Sequence, residues 1–254
     1  MLIEIVPCLR DNYAYLVLAD NASDCIVVDP SEAAPVSAAL RAHGLRLTGI
    51  LNTHHHYDHV GGNTELVKAH PGIDVWGHTS DRGRIPEQTM FVNDGDEFEV
   101  ASLRFRVMHI PGHTLGAVAY CAADVVFTGD TLFGAGCGRL FEGTPADMFA
   151  SLNQKLASLP DSTRVFCGHE YTENNLRFAA HLEPDNPDIS SRRARVATVR
   201  ASGQPSLPST LAEERLTNPF MRCSSPELAQ SLGLAQGTDP ISVLAATRKA
   251  KDAF

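Results

Sequence analysis

The sequence predicts an α/β domain followed by a smaller helical domain. Three features lead there. Strand patterns alternate with helix patterns up to about residue 169. Beyond residue 170 the strand patterns stop, and helix patterns follow, separated by Pro- and Gly-bearing loops. Four predicted strands run directly into a histidine or an aspartate, where open α/β sheets carry their sites. The expected division is 1–169 and 170–254.

The elements follow in order. After Asp11-Asn12, Tyr13 to Leu18 reads as a strand, Asp20-Asn21 as a turn, and Cys25 to Pro30 as a second strand. A helix starts at about Ser31, with Val36, Ala39, Leu40 and His43 on one face and Gly44 as its stop. Leu47 to Asn52 is a buried strand. Asn63 or Thr64 is placed to cap a short helix that ends at Pro71-Gly72, and Ile73 to Trp76 is the next strand. Residues 77–96 are polar and rich in breakers, so they read as mostly loop. Glu97 to Val100 and Leu103 to His109 alternate as a hairpin, and Val118 to Cys121 and Val125 to Phe127 follow. Thr144-Pro145 opens a helix with a cap and a first-turn proline. Met148, Phe149, Leu152, Leu156 and Leu159 form its apolar face, and Arg164 to Cys167 is a short strand. Helices are expected over 176–182, 191–201, 226–232 and 240–253.

The chain has 254 residues, 43% hydrophobic and 20% charged, an ordinary globular composition. Its formal net charge of −9 argues against binding nucleic acid or an anionic membrane through the overall field. An anionic substrate would need a local basic patch. No apolar run is long enough for a membrane-spanning helix, and the first residues lack a signal-peptide pattern. Six scattered cysteines suggest reduced thiols and a cytoplasmic protein. A monomer is the expected state.

The chemistry concentrates in Thr53-His54-His55-His56-Tyr57-Asp58-His59. Imidazoles and carboxylates are the ligands of zinc and similar first-row metals. On an extended loop His54, His56 and Asp58 share one side and His59 follows at the bend, while His55 and Tyr57 face the other way. Three more strand ends contribute His113, Asp130 and His169, each directly after a glycine that lets the backbone turn sharply. The seven candidate ligands, five histidines and two aspartates, exceed the need of one tetrahedral ion. They divide well between two ions sharing a carboxylate. His43, His55, His70, His78, His109 and His181 read as structural or exposed.

These residues resemble the five-motif set of the metallo-β-lactamase superfamily, with Asp29 as its early acidic motif. More narrowly, the chain resembles the glyoxalase II (hydroxyacylglutathione hydrolase) family. That likeness rests on Thr53 to His59, Pro111-Gly112-His113-Thr114, Gly129 to Phe133, Gly136 to Gly143 and Gly168 to Thr172. Asn218 to Arg222 and Arg248 to Asp252 also match, so it covers nearly the whole chain. The resemblance implies an αββα sandwich with a small all-helical C-terminal domain that binds glutathione. It implies one metal on His54, His56 and His113 and a second on Asp58, His59 and His169, with Asp130 bridging. Zinc is the expected ion, with iron and manganese as alternatives. Arg139, Phe141, Tyr171, Arg248 and Lys251 would meet the glutathione part of the substrate. Many members of the family have Lys and Tyr where this chain has Arg139 and Phe141. The implied reaction is hydrolysis of S-D-lactoylglutathione and other S-2-hydroxyacylglutathiones, the second step of methylglyoxal detoxification.

Two such ions would bring a water held between them towards a pKa of roughly 7, making it the expected nucleophile. Asp58 is placed to orient it. The leaving thiolate, from a thiol of pKa about 8.5, departs without a dedicated general acid. Other readings fit less well. A persulfide dioxygenase of the same superfamily would use one iron and fewer of these ligands. A nuclease should carry a basic patch, and a metal store has no need for an open coordination position.

Overall fold

The computed structural model describes residues 1–20 and 22–254. The turn expected at Asp20-Asn21 falls partly on Asn21, which lies outside the described residues. The chain divides into two compact units. The first comprises Met1–His109 and Gly116–Gly129, the second Ile110–Leu115 and Asp130–Phe254.

In the first unit one sheet contains, in order, β1 (Leu2–Cys8), β2 (Asn12–Leu18), β3 (Asp24–Val28), β4 (Arg46–Leu51), β5 (Asp74–His78) and β6 (Met90–Val92). β1 to β3 pair antiparallel, and β3 to β6 pair parallel. Parallel neighbours need crossovers. They are supplied by α1 (Ala33–His43) and by the segment holding α2 (Tyr57–Val60) and α3 (Asn63–Ala69). Val36, Leu40 and Leu66 on these helices share one apolar cluster with Leu16, Val27, Ile50 and Val75 of the strands.

A second, antiparallel run consists of β7 (Glu97–Val100), β8 (Leu103–His109), β9 (Val118–Ala122) and β10 (Val125–Gly129). It packs on the first sheet through aromatic rings. Trp76 stacks on Phe98 at 5.2 Å, and Tyr15 meets Phe127 at 5.5 Å. Tyr120 donates its hydroxyl across the layers to the Asn52 carbonyl at 3.0 Å. Burial pushes that phenol well above its ordinary pKa, so it stays a donor.

The second unit holds the hairpin β11 (Leu132–Phe133) and β12 (Gly136–Cys137), then α4 (Pro145–Phe149), β13 (Arg164–Cys167) and α5 (Thr172–Leu182). It continues with α6 (Pro187–Ala201), β14 (Ser209–Thr210), α7 (Leu211–Thr217), α8 (Pro226–Ser231) and α9 (Pro240–Ala253). The loop of the β11–β12 hairpin is buried, so its backbone groups need partners. Glu214 accepts from the Ala135 amide at 2.8 Å, and Asn218 donates to the Gly136 carbonyl at 3.0 Å. Asn175 donates to the Gly134 carbonyl at 3.0 Å. Glu214 is itself held by Arg192 at 2.6 Å, with side-chain exposures of 0% and 4%.

Several expectations need correction. Asp58 and His59 lie on the one-turn helix α2, not on a plain loop. Asn63 is the first residue of α3, and its side chain bonds Asn52 and Pro86 instead of capping. Within 77–96 the structure has a 3-10 turn (Thr79–Asp81) and β6, each three residues long and too short to show a period. α4 continues as a π-turn and a 3-10 turn through Ser158, not as one regular helix. Strand structure does recur after residue 170, as the two-residue β14, which pairs with β13. α7 lay unread, although Thr210 and Glu213 form its capping box. Among the described residues no helix is long and apolar enough to cross a membrane.

Breaking a buried ion pair from one side strands the other charge, at a cost of about 3–5 kcal/mol. Arg192→Ala is therefore expected to lower the unfolding free energy in urea by about that amount. A loss no larger than that of an exposed arginine would show that the pair is inert.

Candidate metal-binding site

The histidine-rich stretch leaves β4 at Asn52, whose side chain ties the two ends of the stretch together. Its Nδ2 donates to the His59 carbonyl at 3.1 Å, and its Oδ1 accepts from Asn63 at 2.8 Å. The rings of His54 and His56 lie 4.7 Å apart, and those of His54 and His59 4.2 Å apart. Asp58 Oδ2 stands 3.8 Å from His59 Nε2. The four expected ligands of the first unit are thus together, while Tyr57, the first residue of α2, is exposed.

Hydrogen bonds fix which ring nitrogen carries the proton. Asp29 is buried and accepts from the Thr53 amide at 2.7 Å, the Thr53 hydroxyl at 2.6 Å and His59 Nδ1 at 2.9 Å. A carboxylate only accepts, so His59 keeps its proton on Nδ1 and presents the Nε2 lone pair. The Thr53 O–H is directed at Asp29, so its oxygen accepts from His54 Nδ1 at 3.1 Å. The His54 Nε2 lone pair then lies 3.1 Å from His56 Nδ1. Two ligands at about 2.0–2.1 Å from one tetrahedral ion are about 3.3 Å apart, so these atoms fit a shared metal. Asp29, His54 and His59 also offer atoms within 4.8 Å of one another. Both Asp29 oxygens are already engaged, however, and brace these side chains through hydrogen bonds. Asn12 orients Asp58, donating to its carbonyl at 2.9 Å and to Oδ2 at 3.1 Å.

In the second unit His113, Asp130 and His169 come together around one oxygen. Asp130 Oδ2 is 3.6 Å from His113 Nε2 and 3.2 Å from His169 Nε2. His113 Nδ1 donates to the Arg139 carbonyl at 2.8 Å, so here too Nε2 presents the lone pair. Of the glycines that precede these three residues, Gly112 and Gly129 have positive φ and Gly168 does not. At Gly129, with φ +50°, an added Cβ would stand 2.2 Å from Thr53 Oγ1. At Gly138 it would stand 2.0 Å from the Asp130 carbonyl. Both glycines let backbone approach the ligand-bearing segments.

The expected substrate-binding residues all lie in the second unit. Arg139, Phe141 and Arg248 line a cavity of about 440 Å³ together with Lys249 and Asp252. The buried Arg248 donates to the Cys137 carbonyl at 2.9 Å and pairs with Asp252 at 2.9 Å. Arg139 Nε stands 3.7 Å from the same carboxylate. Phe141 sets its ring edge-on to His113 at 5.3 Å, and Tyr171 stacks on His169 at 4.7 Å. Lys251 is not among the cavity-lining residues. Its ammonium lies 5.1 Å over Phe178 and 5.3 Å over Phe254. Burial, with Arg248 and Arg177 nearby, pulls its pKa down to about 8. Cys137 adjoins this cavity, but burial outweighs Arg248 and pushes its thiol to about 11, so it is no nucleophile.

Sequence reasoning left the partners of the ligand imidazoles unassigned. They are Thr53, Asp29 and the Arg139 carbonyl, with Asn12 on Asp58. Asp29 had a signal, as an acid ending an apolar strand; Asn12 had none.

The family model for the metallo-beta-lactamase superfamily matches residues 9–169, and that for the hydroxyacylglutathione hydrolase C-terminus matches residues 170–254. A hydroxyacylglutathione hydrolase of Synechococcus sp. (strain JA-2-3B'a(2-13)) is 49% identical over 251 residues, 98% of each chain. Among solved structures, ETHE1 from Myxococcus xanthus aligns with a TM-score of 0.68 and 25% identity, over 99% of this chain and 100% of that one. TTHA1623 in a di-iron-bound form aligns with a TM-score of 0.54 and 32% identity, over 66% of this chain and 92% of that one. The fold is the expected metallo-β-lactamase sandwich, and with its His/Asp donors the chain is a divalent-metal-binding protein.

Asp29→Asn keeps the shape and tolerates the left-handed backbone at this position, φ 47°, but exchanges an acceptor for a donor. We expect it to weaken metal binding about 10–100-fold, read by competition with a chelator. Unchanged affinity would remove Asp29 from the role of brace.

Proposed function

The chain belongs to the hydroxyacylglutathione hydrolase family of the metallo-β-lactamase superfamily, and we propose that it hydrolyses S-D-lactoylglutathione and related 2-hydroxyacyl thioesters to glutathione and the hydroxy acid. One observation within the second unit supports this most directly. The Phe141 ring lines the cavity with Arg139 and Arg248 and also meets His113. A cation-lined cavity thus lies one ring from a ligand histidine. That arrangement suits a substrate with an anionic arm and a reacting carbonyl a short distance beyond it.

In this reading His54, His56 and His113 would hold one ion, Asp58, His59 and His169 would hold the other, and Asp130 would serve both. Zinc is the proposed ion; iron and manganese suit the same donors. Bound there, such ions would polarise the thioester carbonyl and help deprotonate a water near neutral pH. The protein's own groups do the remaining work. Asp29, Thr53 and the Arg139 carbonyl hold the Nδ1 protons, so the Nε2 lone pairs stay available. Asn12 fixes Asp58 Oδ2, which directs that carboxylate towards the attacking water. Arg139 and Arg248 take the carboxylates of the glutathione arm as planar forks. Tyr171 covers one face of His169 by stacking on it. The thiolate of glutathione leaves unaided, since a thiol of pKa about 8.5 is a good leaving group. We assign 1–169 to catalysis and 170–254 to glutathione binding. We also infer that the protein works as a monomer in the cytoplasm, where its six free thiols stay reduced.

The defining test is loss of thioester absorbance from S-D-lactoylglutathione, before and after chelation. Turnover that chelation abolishes and added zinc restores is the expected result, and no turnover by fully metallated protein would overturn the assignment.

The Lys251 ammonium adds a pH dependence. With its pKa drawn down to about 8, it is charged below that pH and loses its charge above it. The KM should therefore rise as the pH passes about 8, with little of that rise in Lys251→Arg, whose side chain stays protonated. Identical KM profiles would place Lys251 outside substrate binding.

A further inference from the structure

His55 lies between two proposed ligands in sequence and bonds elsewhere. Its Nδ1 is 3.1 Å from Asp81 Oδ1, and its Nε2 is bonded to Arg84 Nη2. A guanidinium only donates, so Nε2 is the accepting nitrogen and Nδ1 carries the proton to Asp81. One neutral tautomer satisfies both partners. Arg84 Nη1 closes the triangle, 3.5 Å from Asp81 Oδ1.

Asp81 is fully buried, at the end of the 3-10 turn Thr79–Asp81. It has little room to move, since a Cβ on Gly116 would stand 2.5 Å from its carboxyl group. A buried carboxylate is costly unless its partners are in place. The arrangement therefore favours the one backbone course in which His55 reaches Asp81.

We propose that Asp81 and Arg84 are positioning residues that act through His55 to aim His54 and His56. His55 stands between His54 and His56 in the chain, so holding its side chain restrains the backbone that carries the other two. The His55 ring centroid is 4.9 Å from that of His56 and 6.3 Å from that of His54, so a turn of His55 would be felt by both. The same segment braces the stretch a second time. The Pro86 carbonyl accepts from Asn63, which also donates to Asn52, and Asn52 holds the His59 carbonyl. The polar segment after β5 thus serves as a buttress for the ligand-bearing stretch.

The inference rests on the proposed ligand roles of His54 and His56, so the test reads metal binding apart from hydrolysis. Asp81→Ala is compared with Asp81→Asn, and His55→Leu with His55→Gln. Asn at 81 keeps an acceptor; Gln at 55 offers a donor to Asp81 and an acceptor to Arg84. Zinc affinity is measured by competition with a chromophoric chelator, and thermal unfolding of the metal-free proteins reports the fold. Asp81→Ala and His55→Leu should lose about 10–100-fold in zinc affinity, and the two conservative variants less than about tenfold. KM at saturating zinc should hold in all four. Unchanged zinc affinity in folded Asp81→Ala, or equal losses in His55→Leu and His55→Gln, overturns the inference. If Asp81→Ala does not fold, the His55 pair decides alone. If the unsubstituted protein binds no zinc, the metal reading falls and this inference falls with it.

Discussion

A histidine binds a metal through the nitrogen that has no proton, so the proton must be held at the other. That constraint organises the first unit. Asp29 accepts from His59 and, through Thr53, determines the tautomer of His54. One buried carboxylate thereby orients two imidazoles. Asp29 has a left-handed backbone and Gly129 crowds Thr53, so both depart from ordinary strand geometry to make room for these bonds. In the second unit a backbone carbonyl, that of Arg139, does the same for His113. The residue whose side chain lines the cavity thus also orients a ligand through its main chain.

The second unit meets a different problem with similar means. Its β11–β12 hairpin loop is buried, and Glu214, Asn218 and Asn175 satisfy its backbone. Those residues come from α7, the turn after it, and α5. The helices of this unit therefore specify the hairpin as well as pack around it. Glu214, Asn218 and Asn175 reach the hairpin from separate parts of the chain, which favours one arrangement over many.

The first-order chemistry was legible in the sequence. His54, His56, Asp58 and His59 announce themselves by order and by following an apolar strand. His113, Asp130 and His169 repeat the pattern of a strand running through glycine into a potential donor side chain. What was not legible lies at long sequence separation. Thr53 finds Asp29 across 24 positions, and His55 finds Asp81 across 26. No local period marks such pairs, because the sheet and not the chain makes them neighbours. Short elements were lost for another reason: β6 and β14 span three and two residues, below the length at which alternation can be seen. α7 was different, since Thr210 and Glu213 spelled out its capping box.

The Asp252 carboxylate gives the cavity a resident anion. It is 2.9 Å from Arg248 and 3.7 Å from Arg139, so the free protein already offers its cations a partner. A carboxylate that came to these arginines would not meet bare charge; it would trade places with Asp252. Such an exchange yields only the difference between two attractions, which keeps binding moderate while the geometry stays selective. For a hydrolase whose product carries the same anionic arm as its substrate, moderation is useful. In a cavity that takes such an arm, the same carboxylate would compete on the way in and help displace the product on the way out.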